Sequence, residues 1–409
     1  MEGEGMPQGM PGALATDATA TMTELRSVSV VLPCLNEVES VALCVHEARE
    51  ALTAAGLPHE VVVVDNGSTD GSAAAAEQAG ARVVHEEEPG YGSALLTGFA
   101  AANGDVVVMA DSDFTYDFGK LPLLVEPVLR GEADLVVGGR LDAATRGTMP
   151  LLHRVVGTPL LTFLVARACG RRLVRDSQSG YRAFRRDCLR SLGLRSRGME
   201  LASEMLIRAA RAGLRVREVP TGYRARIGSS KLAAVRDGWR HLSLITLLAP
   251  DLLLIGPGLA ALAIGIVFSV LAFTSRHGIE VGSLRWQPVF FSGIATILGV
   301  QATLAGGVLA HRSSLAAGAA QRRFSFIDSA SFAGRCAVVG LALVLAGLLI
   351  DGVLFARWVR GSDAAPVDHL GYTSLAQSLI VVGSTLAVFG VIQRHLRSAP
   401  NVDDQAGAP

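Results

Sequence analysis

Several features that commonly mark a protein class are missing from this sequence. Net charge is absent: 37 Lys and Arg balance 37 Asp and Glu, so no broad attraction to polyanions exists and no nucleic-acid partner is expected. Aromatic residues make up only 5% of the 409 positions. Cysteine is nearly missing. The five present (Cys34, Cys44, Cys169, Cys188 and Cys336) are odd in number and form no C-x-x-C pair. That excludes a disulfide framework and a zinc site, and suits a reducing compartment. Residues 1–26 lack the basic and apolar blocks of a signal peptide and read as a disordered tail, with Met22 a second candidate start.

What is present is half hydrophobic and unevenly arranged. Charge is dense up to about Arg240 and sparse beyond it. Four apolar stretches follow, Leu252–Phe273, Pro288–Ala310, Cys336–Phe355 and Ser374–Ile392, each near the ~20 residues needed to cross a bilayer. They predict a four-helix transmembrane region over 251–397, with a short disordered tail over 398–409. Arg312, Arg322, Arg323 and Arg335 lie between the second and third stretches, and Arg394 and Arg397 follow the fourth. The other two loops offer Arg276, Arg285 and Arg360, diluted by Glu280, Asp363 and Asp368. The positive-inside rule then places the N-terminal region, middle loop and tail on the cytoplasmic side of the cell membrane.

Residues 230–250 join the two regions. Leu232, Val235, Trp239 and Leu242 share a helical face, with Lys231, Arg236, Asp237 and Arg240 largely off it, the pattern of a helix in the membrane interface or of an amphipathic helix packed on a domain. Asp351 alone places a carboxyl well inside an apolar stretch, where lipid handling and an interhelical hydrogen bond are equal readings. Asp251 sits at a boundary and needs no special role.

Residues 27–229 read as one α/β domain. Short apolar runs at Val28–Leu32, Val61–Val64, Arg82–Val84, Val106–Met109, Leu135–Val137 and Val216–Val219 suit strands buried on both faces. Helical stretches between them stop at Gly56, Gly80, Gly104, Gly131 and Gly213. The alternation predicts a doubly wound, mostly parallel sheet.

In such sheets ligands bind beyond the carboxyl ends of the strands. Three acidic clusters fall there: Asn36-Glu37 after the first strand, with Asn36 placed to cap the next helix, Asp65 to Asp70 after the second, and Asp111-Ser112-Asp113 after the fourth. Two carboxylates one residue apart suit a hard divalent cation, Mg²⁺ or Mn²⁺, which bridges to a diphosphate. Downstream, Arg224, Arg226, Lys231, Ser229, Ser230 and Gly228 crowd into nine residues. They suit either a phosphate site or contact with anionic headgroups. Arg140 and Arg154 lie where they can join the phosphate site. Glu204 is paired by spacing with Arg208 and takes at most a supporting role.

The order Val30-Val31-Leu32-Pro33…Asn36-Glu37, Val63-Val64-Asp65-Asn66-Gly67-Ser68-Thr69-Asp70-Gly71 and Asp111-Ser112-Asp113 resembles the family 2 glycosyltransferases of GT-A fold. Within them it is similar to the dolichol-phosphate mannose and glucose synthase branch, over roughly residues 27–245. Asp176-Ser177-Gln178-Ser179-Gly180-Tyr181-Arg182 resembles the family's segment ahead of the catalytic helix, and Tyr223 to Lys231 its R-x-G-x-S-K-L stretch. The resemblance implies that Pro33, Glu37 and Asp65 hold the base and ribose of a nucleotide-sugar donor, with Asn36, Asn66 and Asp111 completing that site. It assigns Asp111 and Asp113 to the metal and diphosphate. Lipid-phosphate members often carry glutamine two residues after the second aspartate; here Thr115 stands there, leaving that ligand position to water.

The expectation is an inverting hexosyltransferase acting from UDP- or GDP-hexose onto a polyprenyl phosphate by a single in-line displacement. Asp111, Asp113 and Arg182 are the expected catalytic residues, with Arg140, Arg154, Arg182, Arg224, Arg226, Ser230 and Lys231 holding the acceptor phosphate. A different membrane lipid or glycan acceptor, and a non-catalytic membrane scaffold, are the alternatives. Processive polysaccharide synthesis is disfavoured, since no Q-x-x-R-W motif is present.

Overall fold

The protein's structure, a computed structural model, describes residues 27–141, 153–228, 234–274, 279–281, 284–312, 322–361 and 366–398. The expected tails fall outside these residues, apart from Ser398, as do Ser230 and Lys231. The chain divides into two compact units, one of residues 1–162 and 173–231, the other of 163–172 and 232–409.

In the first unit the six apolar runs become β1 (Val28–Cys34), β2 (His59–Asp65), β3 (Arg82–His85), β4 (Val106–Met109), β5 (Leu135–Gly139) and β7 (Val216–Pro220). A seventh strand, β6 (Arg182–Arg185), lacks an apolar run to announce it. It lies antiparallel between β4 and β5, in the order β3-β2-β1-β4-β6-β5-β7. The other pairings are parallel.

β1 is buried along its whole length because helices cover both faces. Val28, Val30 and Leu32 share a core with Val41, Cys44, Val45, Ala48 and Leu52 of α1 (Val41–Ala54) and with Leu121, Leu124, Val125 and Val128 of α4 (Leu121–Leu129). Those positions repeat at helical spacing, so one apolar stripe meets the sheet. On the other face lies α3 (Tyr91–Ala101), packed so closely that a Cβ on Gly98 would stand 2.3 Å from Val31 Cγ1. α2 (Ser72–Gln78), α5 (Thr158–Ala168), α6 (Arg186–Leu192) and α7 (Leu201–Arg211) complete the helices of this part of the chain. Of the five glycine stops, Gly56, Gly80, Gly131 and Gly213 are left-handed. Gly104 is not; a Cβ there would lie 2.5 Å from the Ser29 backbone nitrogen, so close approach is its reason.

In the second unit, α8 (Ala234–Leu248) buries His241, Leu244, Ile245 and Leu248 and leaves Trp239 69% exposed. Four long apolar helices follow: α9 (Gly256–Thr274), α10 (Pro288–Arg312), α11 (Ala330–Val359) and α12 (Pro366–Ser398). Each is long and apolar enough to cross a membrane. Glycines bring them together in pairs. A Cβ at Gly299 would meet Leu262 N at 2.5 Å, and one at Gly340 would meet Ala387 N at 2.4 Å. Their outer faces expose Phe290, Val338, Leu349 and Phe355, a surface that hydrocarbon accommodates and water does not. Asp351 is partly exposed on α11, and its carboxylate makes no hydrogen bond among the described residues.

Candidate active site

The carboxyl ends of β1, β2 and β4 are tied to one another by their own loops. Ser112 donates to Pro33 O at 2.8 Å, Ser40 donates to Ser112 O at 2.7 Å, and Asn66 N donates to Cys34 O at 2.9 Å. Only two non-glycine residues among those described have a left-handed backbone, Asn36 (φ 51°) and Phe114 (φ 65°). Both stand in these loops. Such strain persists where the surroundings impose it and concentrates at functional sites.

Asn36 does not cap α1, whose N-cap residue is Ser40. Its side-chain oxygen instead accepts from Thr69 N at 2.7 Å, clasping the loop after β2. Asn66 is similarly occupied. Its amide donates to Glu86 O and Glu88 O, both at 2.9 Å, and accepts from Gly90 N at 2.7 Å. All the polar capacity of that side chain aimed at backbone goes to the loop before α3, so Asn66 shapes the site rather than facing a ligand with free donors. Asp65 keeps one oxygen on Ser68 N and the other 3.3 Å from the exposed His85 ring, a neighbour that sequence reasoning missed.

Asp111 and Asp113 meet as expected. Burial, then the charge of Asp113, push the Asp111 carboxyl up to about 6. Asp113 accepts from Thr115 N at 3.1 Å and Thr115 Oγ1 at 2.5 Å, and its other oxygen lies 3.2 Å from Arg226. Thr115 is therefore committed to orienting Asp113. The charge of one carboxylate disfavours ionisation of the other, a repulsion that a divalent cation between them relieves. No group of three or more His, Cys, Asp or Glu side chains with metal-binding geometry occurs among the described residues. The two carboxylates after β4 are hard oxygen donors and fit a hard cation whose remaining positions would go to ligand oxygens and water.

The basic residues are distributed differently from expectation. Arg182 is fully buried, and its guanidinium donates to Ser179 O, Ala202 O and Ser177 O at 2.9, 2.7 and 2.8 Å. Burial pulls it down to about 10. It stitches the 177–182 segment to α7, where the sequence reading had expected a phosphate ligand. Arg140 is paired bidentately with buried Asp176 at 2.7 and 3.0 Å. Against burial, which would lift it, Arg140 holds the Asp176 carboxyl below its ordinary value. Arg224 bridges Glu47 and Asp117 and lies over the Phe114 ring. Arg226 bridges Glu37, at 2.6 Å, and Asp113. Its Nε is buried and has no hydrogen-bond partner among the described residues. Arg154 lies in the His153–Gly157 segment before α5, and its side chain lies outside the described residues. Glu204 receives Arg195 N, Ser196 N and Arg208, a structural clamp.

Sequence reasoning also missed the tyrosines. Four of the five in the chain gather around Asp111 and its loop. Tyr91 donates to Asp111 Oδ1 at 2.7 Å, Tyr116 accepts from Gly180 N at 2.8 Å and stacks on Tyr181, and Tyr223 packs edge-on against Tyr116. A Cβ on Gly180 would stand 2.9 Å from the Tyr91 hydroxyl and 3.2 Å from Asp111 Oδ1, so that glycine admits the carboxylate. In a chain this poor in aromatics, tyrosines after β3 and beside Asp113 were the available signal.

Residues 29–193 match the family model described as Glycosyl transferase family 2. The low-salt glycan biosynthesis hexosyltransferase Agl6 of Haloferax volcanii is 35% identical over 368 residues, 89% of this chain and 87% of that protein. A dolichyl-phosphate hexose transferase of the same organism is 37% identical, over 44% of this chain and 76% of its own length. The undecaprenyl-phosphate mannosyltransferase of Micrococcus luteus is 32% identical, over 50% of this chain and 87% of its own.

Proposed function

The chain belongs to the family 2 glycosyltransferases, and we propose that it transfers a hexose from UDP- or GDP-hexose to a polyprenyl phosphate, with inversion, at the cytoplasmic face of the cell membrane. The observation that carries this reading is Arg226. Its guanidinium joins Glu37 after β1 to Asp113 after β4, while its buried Nε lacks a partner among the described residues. A buried donor of this kind costs free energy until an acceptor arrives, and a phosphate oxygen is such an acceptor.

Pro33, Glu37 and Asp65 hold the nucleoside end of the donor, and Asn36 and Asn66 shape the loops around it. Asp111 and Asp113 would hold a divalent cation, Mg²⁺ or Mn²⁺, and the chemistry it would supply there is charge neutralisation at the diphosphate. An acceptor phosphate oxygen attacks the anomeric carbon as the bond to the nucleoside diphosphate breaks, the electron pair leaving with the diphosphate. A phosphate monoester is already anionic near neutral pH and needs no strong base, consistent with the structural use of Glu204. Arg226 and Arg224, with Ser230 and Lys231 just downstream, align that phosphate, and alignment supplies much of the acceleration. The dolichyl-phosphate and undecaprenyl-phosphate transferases among its relatives support the acceptor class. The apolar helices support a membrane substrate.

The test is a transfer assay on the full chain in membranes, with undecaprenyl or decaprenyl phosphate, Mg²⁺ or Mn²⁺, and labelled UDP- and GDP-hexoses, beside a diacylglycerol arm. One metal-dependent labelled lipid phosphate made from one donor is the expected result. Label found only in diacylglycerol, or in no lipid, overturns it.

A further inference from the structure

A carboxylate that is to hold a cation, as Asp111 is, needs a partner that fixes its orientation. Tyr91 touches that group and belongs to none of the motifs that carry the family resemblance. It opens α3 between two glycines, Gly90 and Gly92, and both are fixed by what surrounds them. A Cβ on Gly90 would lie 2.3 Å from Arg197 O, and one on Gly92 2.3 Å from Ser196 O. Gly92 N and Ser93 N donate to Arg197 O at 2.9 and 3.2 Å. The 195–196 backbone is in turn held by buried Glu204. From the other side, the Asn66 amide pins Gly90 N and the carbonyls of Glu86 and Glu88. The backbone that carries Tyr91 is therefore gripped from both sides.

The phenol itself has one role open to it. Its hydroxyl meets Asp111 Oδ1 at 2.7 Å. Asp111 Oδ2 has no hydrogen bond among the described residues, so one oxygen is fixed and the other left for a ligand.

We propose that Tyr91 is the positioning residue for Asp111, and that Asn66 acts on the same carboxylate through Tyr91 by clasping the 86–90 loop. This rests on the reading of Asp111 and Asp113 as cation ligands. Hydrogen-bonding partners of a ligating carboxylate orient it, and losing one typically weakens metal binding by roughly tenfold or more.

The experiment titrates Mn²⁺ into the full chain in lipid nanodiscs, with saturating UDP in one series and GDP in another, reading free Mn²⁺ by electron paramagnetic resonance. Wild type, Tyr91→Phe, Asn66→Asp, the double variant and Asp113→Asn are compared, with thermal melting of each. The expected result is a melting temperature near wild type for Tyr91→Phe and Mn²⁺ binding weakened by about tenfold. Asn66→Asp weakens binding less, and adds nothing in the Tyr91→Phe background because both act on one carboxylate.

Wild-type affinity in Tyr91→Phe, with binding lost in Asp113→Asn, overturns the positioning role and leaves the metal reading standing. Additive losses in the double variant overturn the route through Asn66. No Mn²⁺ binding by wild type with either nucleotide overturns the metal reading and this inference with it. If Tyr91→Phe does not fold, Asn66→Asp decides alone, and unchanged affinity there overturns the proposal.

Discussion

Asp111 stands where its surroundings work against its charge. Its carboxyl is lifted to about 6 by burial and by Asp113, whereas an unfolded aspartate titrates near ~3.9. The folded state therefore holds this proton more tightly than the unfolded one. Its stabilising contribution is complete below the unfolded value and is lost as pH rises through the folded one. Asp111→Asn removes that loss. The variant is expected to melt higher than wild type in metal-free buffer at pH 7.5, by a margin that narrows towards pH 5, while transfer activity falls at least a hundredfold. Melting curves at both pH values check the first part, and the transfer assay the second. At this scale the sequence was half legible. The Asp111/Asp113 pair and the ends of β1 and β2 declared themselves by position after apolar runs. Arg182 did not, because a guanidinium that ends on three backbone carbonyls looks the same in sequence as one awaiting a phosphate. Asn36 and Asn66 likewise show their amides facing backbone only once the loops are folded.

Elements bring these residues to one another, and the strand least visible in sequence does much of it. β6 begins at Arg182, two residues after Gly180, and inserts antiparallel beside β4. Charged Arg182 and Arg185 flank only Ala183 and Phe184, so no apolar run marks it, and only the neighbouring strands make it a strand. The apolar runs of β1, β2 and β4, buried on both faces, were readable for the opposite reason. The entry to β6 sets the room available to Asp111. Gly180→Ala would press its methyl on the Tyr91 hydroxyl and the Asp111 carboxylate. Transfer is expected to fall roughly tenfold or more through misplacement of that carboxylate, with a loss in melting temperature of only a few degrees. Unchanged kcat in Gly180→Ala would mean that the carboxylate tolerates the shift.

On the scale of the whole molecule, the contrast between a charged α/β part and an apolar helical part was legible, because each obeys a single compositional rule. The assignment of residues 163–172 to the second unit was not, since nothing in that short stretch departs from its surroundings in sequence. The arginine bias of the loops carries a prediction about sidedness. In a background with the five cysteines replaced, Ser362→Cys is expected to react with an impermeant maleimide in intact cells, and Ser314→Cys only after lysis. The reverse pattern would place the α/β unit on the other side of the membrane and remove its access to cytoplasmic nucleotide sugars.

The tyrosines around Asp111 have an optical consequence. Tyr91, Tyr116, Tyr181 and Tyr223 all belong to the first unit, whereas the three tryptophans, Trp239, Trp286 and Trp358, all belong to the second. Because Tyr116 and Tyr181 stack with ring centroids 4.9 Å apart, their near-ultraviolet dichroism depends on the packing beneath the carboxylates. Indole emission, by contrast, reports the polarity around the helical part. One unlabelled sample thus offers two spectral channels, one for ligand arrival at the α/β site and the other for the lipid surroundings of the helices.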